Sequence, residues 1–114
     1  MPHLAESHTL VIERNTRWEG EFATEPAETA WAREAIFFVR ALQLEGALAA
    51  ARVRVQLSPD GMHWADEGTL CPLPGAPGGL TFCRLTHFGG WLRLVGSLPA
   101  GTQLRVIVYL NLKG

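Results

Sequence analysis

The chain has 114 residues, of which 47% are hydrophobic and 18% charged, and its formal net charge is −1 at pH 7. This composition is typical of a globular protein, so we treat residues 1–114 as a single domain with one hydrophobic core. Because ten basic residues are balanced by eleven acidic ones, the charge indicates no long-range attraction to nucleic acid or to an anionic membrane, and we expect neither as a partner.

The N-terminal segment shows neither a basic leader nor an apolar run before a small-residue cleavage site, and no segment reaches the roughly 18 apolar residues needed to cross a bilayer. The longest apolar segments are interrupted by Arg40, Arg93 and Arg105. We therefore expect the protein in the cytoplasm, or in a particle that is assembled there.

Period-two alternation and turn residues divide the chain into short strands. The predicted strands are residues 8–13, 18–24, 35–44, 52–57, 64–70, 80–86, 91–95 and 104–112. We expect the first two to form a hairpin around a turn at Arg14 and Asn15. Residues 25–34 are rich in Ala and Glu without a period-two pattern; they are the one plausible helix, and the alternative is an irregular crossover.

The clearest hairpin signal lies in residues 52–64. Val53 and Val55 alternate with arginines, and Pro59, Asp60 and Gly61 follow as a turn. Trp64 then begins the return strand, and we expect it to be buried beside the turn. About seven or eight strands with turn signals at intervals of about eight to twelve residues predict an all-β, antiparallel β-sandwich of jelly-roll type.

Two predicted strands, residues 35–44 and 104–112, carry apolar side chains on both faces. A lone two-layer domain would leave one of those faces partly exposed, so the outer residues need a cover. Aromatic residues and arginine are enriched at subunit contacts. The candidate interface residues are Phe38, Ile107 and Tyr109, with Arg40 and Arg105 at the rim.

Four tryptophans are more than a core of this size needs, and exposed tryptophans can stack on sugar rings. Trp18, Trp31 and Trp91 are the candidates for such a platform; the other interpretation places them in the core or at a subunit contact. Cys71 and Cys83 bracket a Pro/Gly-rich loop at residues 72–79, where a disulfide is conceivable. In a reducing cytoplasm the pair is expected to act as two small buried hydrophobic residues.

No catalytic or metal motif is evident. The histidines, His3, His8, His63 and His87, are scattered without metal-ligand spacing, and no nucleophile elbow or phosphate-binding loop occurs. Asp60 and Asp66 could form an acid/base pair or bind calcium, but a turn and an outward strand position account for them. We expect no enzyme activity, no cofactor and no metal.

Three motifs carry a resemblance: Val-x-Leu-Ser-Pro-Asp-Gly-x-x-Trp at residues 55–64, Phe-Gly-Gly-Trp-Leu-Arg-Leu at 88–94, and Gly-Thr-x-Leu-x-Val-x-Val-Tyr-Leu-x-Leu-Lys-Gly at 101–114. Together they resemble small β-sandwich proteins among bacteriophage and prophage-like structural components, which serve as head, tail or surface accessory subunits. The Ser-x-Asp-Gly-x-x-Trp hairpin alone is similar to that of discoidin-type carbohydrate- and lipid-binding sandwiches, where it is a scaffold element.

The sequence therefore predicts a non-enzymatic structural or assembly subunit that forms a homo-oligomer or part of a larger protein shell. The alternative is a carbohydrate-binding module that uses exposed tryptophans.

Overall fold

A computed structural model describes residues 6–48 and 51–114, so the first five residues of the N-terminal segment lie outside the described ranges. The strands of the described residues are β1 (Ser7–Glu19), β2 (Glu21–Ala23), β3 (Ala27–Glu28), β4 (Glu34–Glu45), β5 (Arg52–Ser58), β6 (Ala65–Leu70), β7 (Leu80–Thr86), β8 (Trp91–Ser97) and β9 (Gln103–Lys113). Neither described range holds a helix that is long and apolar enough to span a bilayer.

The strands form two antiparallel sheets. The four-stranded sheet has the order β1-β9-β4-β7. The five-stranded sheet has the order β2-β8-β5-β6, with β3 also paired to β8. Because β2 and β3 pair with successive parts of β8, they fill one strand position between them. Eight strand positions then divide into two sheets of four in jelly-roll order, which confirms the predicted fold class.

The core lies between the two sheets and is built from the inward side chains of each strand. In β9 every second residue from Leu104 to Leu112 is at most 1% exposed, whereas the residues between them are partly exposed. Phe37 and Val39 of the neighbouring strand β4 are fully buried beside them, and Leu94 of β8 is fully buried in the other sheet. Burying each aliphatic or aromatic side chain of this size stabilises the fold by about 1.5–3 kcal/mol.

The predicted N-terminal hairpin is wrong, because β1 is one long strand that pairs with β9 throughout. Its register shifts between Val11 and Glu13 and again between Glu13 and Thr16, so the extra residues are absorbed as bulges. Asn15 adopts the left-handed conformation (φ 57°) that an asparagine tolerates. This property of asparagine is why the sequence predicts a turn at this position.

Of the two alternatives for residues 25–34, the helical turn is absent and the segment is a largely irregular crossover that contains β3. The backbone N–H of Thr29 donates to the Gly90 carbonyl at 2.7 Å, and its hydroxyl donates to the Gly89 carbonyl at 3.0 Å. These bonds hold the segment against the loop before β8. The segment contains the short strand β3 and no helix. A segment this short cannot offset the cost of helix nucleation without tertiary support.

The turn between β5 and β6 forms as predicted around Gly61, whose φ is 78°. The Ser58 hydroxyl oxygen accepts from the backbone N–H of Asp60 and Gly61 at 3.2 and 2.8 Å. The expectation that Trp64 is buried beside this turn is wrong. Trp64 is half-buried and carries the Arg93 guanidinium over its ring, with 4.1 Å between Cζ and the ring centroid.

Candidate functional site

One row on the outer face of the four-stranded sheet is apolar from edge to edge. Val11 of β1 pairs with Tyr109 of β9, Tyr109 pairs with Phe38 of β4, and Phe38 pairs with Phe82 of β7. Directly paired residues of antiparallel strands project to the same side of a sheet, so these four side chains lie next to one another. The Phe38 and Phe82 rings are 6.1 Å apart between centroids and inclined at 43°.

The neighbouring rows widen this surface. Ile36 lies one row away toward the start of β4, and Arg40, one row in the other direction, pairs with both Ile107 and Leu80. We call the apolar members of the three rows the apolar band: Val11, Ile36, Phe38, Leu80, Phe82, Ile107 and Tyr109. Three of them have large exposed fractions, with 41% for Val11, 56% for Leu80 and 47% for Phe82.

Charged side chains surround the apolar band. Glu34 pairs with Lys113 at one end of the face. Arg84 places its guanidinium carbon 5.3 Å from the Phe82 ring centroid. At the other end the guanidinium of Arg105 donates to the Asn15 carbonyl at 3.2 Å. The face therefore has an apolar centre and a charged rim, which is the common arrangement of a protein–protein interface.

The outer face of the five-stranded sheet is different, because its polar groups satisfy one another. Arg93 donates to the Gln56 side-chain oxygen through Nε at 2.9 Å and Nη2 at 2.7 Å, and Gln56 donates to Asp66 at 3.0 Å. Arg54 donates to the same Asp66 oxygen at 2.9 Å. Hydrogen bonds from Gln56 and then Arg54 lower the pKa of Asp66 below its ordinary value. The centre of this face is therefore a network of paired polar side chains, and the two outer faces of one sandwich are chemically distinct.

All five residues predicted as an interface lie on the outer face of the four-stranded sheet, and their role in subunit contact stays a prediction. Sequence reasoning missed Val11, Leu80 and Phe82. The strand at residues 80–86 was predicted, but only the pairing of β7 with β4 shows that Leu80 and Phe82 extend the same surface. Pairing between distant strands cannot be derived from period-two alternation alone.

The predicted platform of three tryptophans is not formed. Trp18 is 2% exposed and stacks on Phe22 with 4.0 Å between ring centroids, so it belongs to the core. Trp91 lies against the turn at Gly61. Trp31 alone of the three is largely exposed, at 44%.

Cys71 and Cys83 are free, and both are buried, as predicted. Cys71 follows β6 at the edge of one sheet, and Cys83 lies in β7 at the edge of the other. A hydrogen bond between the two thiols, together with burial, raises the pKa of Cys71. The two thiols therefore pack between the edges of the two sheets.

The carboxylates that suggested acid/base chemistry lie in separate networks. The pKa of Asp60 is held well below its ordinary value because the backbone N–H groups of His63 and Met62 donate to its carboxylate, as does the His63 ring. Asp66 is held by Gln56 and Arg54. Across the two described ranges, no three His, Cys, Asp or Glu residues are grouped to hold a metal ion.

Neither a family model nor a curated protein matches the chain. A chain in the structure of infectious bursal disease virus, Gx strain, is similar with a TM-score of 0.45 and 10% sequence identity over 96% of this chain. The match spans 32% of the viral chain, so the present chain corresponds to about a third of its length. The function proposed below rests on this chain's own surfaces.

Proposed function

We propose that this chain is a non-enzymatic structural subunit that associates with further copies of itself through the outer face of its four-stranded sheet. The observation that carries the proposal is the edge-to-edge row of Val11, Tyr109, Phe38 and Phe82. Soluble monomers rarely expose a contiguous apolar patch of more than a few hundred Å², and such a patch with a polar rim is typical of an interaction site.

The size of the face supports a protein partner. Four strands spaced by about 4.8 Å give a width of about 19 Å, and the 12 residues of β4 at about 3.3 Å each give a length of about 40 Å. The projected area is thus about 750 Å², close to the roughly 800 Å² that each partner buries in a standard interface.

The charges at the rim favour a second copy as the occupant. Glu34 and Arg40 lie six positions apart on the outer side of β4, with the apolar row between them. A twofold axis that lies in the plane between two stacked faces, perpendicular to β4 near its centre, brings Glu34 of one copy beside Arg40 of the other, and the symmetry creates this contact twice. Neither side chain has an ion-pair partner among the described residues.

We place the assembly in the cytoplasm, either as a closed oligomer or as part of a larger shell. Either form uses the apolar band, because sheet-on-sheet packing covers it while leaving the polar network of the second sheet in water. The alternative, a carbohydrate-binding module that uses exposed tryptophans, has less support, since Trp18 lies in the core and Trp91 lies against the turn at Gly61.

The experiment is a comparison of molar masses by size-exclusion chromatography with light scattering. We expect Phe38→Asp combined with Tyr109→Asp to give a folded monomer, because the core-facing residues are untouched. The matched control, Arg52→Asp with Ser97→Asp, introduces two carboxylates on exposed, paired positions of the other outer face and should keep the mass of the parent. A folded Phe38/Tyr109 variant that keeps the parent's oligomeric mass would overturn the proposal.

A further inference from the structure

A second surface feature, unrelated to the apolar band, lies where the edge strand β1 faces β3 of the other sheet. Strand β3 has two residues and covers the core-facing side of β1 incompletely. Leu10 is therefore 39% exposed, although its pairing partner Leu110 is fully buried. The opening is a surface pocket of about 380 Å³, lined by Glu6, His8, Leu10, Glu28, Trp31 and Leu112.

Two aromatic rings form a corner in this pocket. The His8 imidazole and the Trp31 indole meet nearly at right angles, at 88°, with 5.3 Å between their centroids. Backbone hydrogen bonds hold the chain around Trp31 in position. The backbone N–H of Gly114 donates to the Glu6 carbonyl at 3.0 Å, and the backbone N–H of Arg33 donates to the Lys113 carbonyl at 2.8 Å. A Cβ on Gly114 would lie 3.1 Å from the indole, so the chain passes directly against the ring.

The charges around the aromatic corner are negative. The Glu28 carboxylate has no ion-pair partner in the described part of the chain. The Glu6 carboxylate lies 3.7 Å from His8 Nε2. None of the lining residues is a lysine or an arginine. Lys113, next to Leu112, projects to the opposite side of the sheet because side chains alternate along a strand.

We propose that this pocket binds a methylated ammonium group. Aromatic faces attract cations through their quadrupole, and nearby carboxylates add Coulombic attraction. Two rings at a right angle, in a pocket also lined by the exposed side chain of Leu10, offer contact to the methyl groups of a compact, weakly hydrated cation. The same chemistry is offered by a free choline-like molecule and by a trimethyllysine side chain of a peptide.

The test follows the Trp31 indole N–H resonance in a two-dimensional NMR spectrum, assigned with the Trp31→Phe variant. The probes are choline, a short trimethyllysine peptide, and 3,3-dimethylbutan-1-ol, the uncharged isostere of choline. We expect a saturable shift with a cationic probe and none with the isostere. A response to choline alone identifies a free ligand, and tighter binding of the peptide identifies a protein side chain.

Two charge variants test the contribution of the Glu28 carboxylate. Glu28→Gln keeps the shape of the pocket and should weaken binding of the cationic probe by at least about fivefold, in line with the contribution of a charged wall to cation recognition. Glu21→Gln, an exposed glutamate of β2 away from the pocket, should have no effect. The proposal would be overturned by equal binding of the isostere or by unchanged binding by Glu28→Gln. It would also be overturned if neither cation shifted the Trp31 resonance, whether or not glucose or galactose did. Binding should persist in the Phe38→Asp/Tyr109→Asp variant, since the pocket is separate from the apolar band.

Discussion

Gly61 lies directly beneath the indole of Trp91, so the turn between β5 and β6 and the start of β8 are in contact. A Cβ at Gly61 would be 3.2 Å from Trp91 Cδ2 and Cε2, and the backbone there has a φ of 78°. Both the left-handed backbone and the close approach of the ring require a residue without a side chain.

Replacing Gly61 by Val should therefore lower the free energy of unfolding by more than the roughly 1 kcal/mol typical of point substitutions. The matched control is Gly75→Val in the loop after β6, where an added Cβ meets nothing within 4 Å. Guanidinium unfolding followed by circular dichroism measures both. Equal midpoints for Gly61→Val and the parent would contradict the assignment of this turn.

Substituting two tryptophans should separate a core residue from a surface residue. Trp18 is 2% exposed and stacked on Phe22, so Trp18→Ala should cost about 3–5 kcal/mol, the range for a large core aromatic. Trp64 is half-buried under Arg93, so Trp64→Ala should cost less than half of that. Denaturant midpoints compare the two directly, and a larger loss for Trp64→Ala would reverse the assignment.

Asp60 should make the stability of the fold sensitive to acid. Hydrogen bonds from the backbone of His63 and Met62 lower its pKa in the folded chain, so the folded state favours the carboxylate. The resulting stabilisation is complete above the unfolded pKa of about 3.9, declines as the pH falls below it, and is lost below the folded pKa. Asp60→Asn should remove this component, so its midpoint should fall less than the parent's between about pH 5 and pH 2. Parallel midpoints over that interval would exclude the effect.

The strands show which features of this fold can be predicted from the sequence. Alternation in residues 104–112 predicts which side chains of β9 are buried, because one face of the strand meets only the core. The bulges near Asn15 and the bonds from Thr29 to the loop before β8 depend on partners distant in sequence. Local sequence therefore predicts a turn at residues 14–15, and for residues 25–34 it does not decide between a helical turn and a crossover. The row from Val11 to Phe82 likewise needs the register of four strands, which no single segment contains.

A charge exchange tests the orientation of the two copies. Glu34→Arg alone and Arg40→Glu alone each place like charges together at both symmetric contacts. Each should weaken self-association by about two- to thirtyfold, given that each of the two exposed ion pairs contributes about 0.2–1 kcal/mol. The double variant restores opposite charges and should recover most of the parent affinity. Sedimentation equilibrium gives the dissociation constants. A double variant no tighter than either single one would show that Glu34 and Arg40 do not meet.

The most direct test of self-association is the mass of the unaltered chain as a function of concentration. One chain has a mass of 12.5 kDa. Analytical ultracentrifugation from low to high micromolar protein should show an oligomer, whose mass is twice that value or a higher whole-number multiple of it. That species should dissociate on dilution or persist throughout as a closed oligomer. A single species of 12.5 kDa at every concentration would contradict the claim that the four-stranded face binds a second copy.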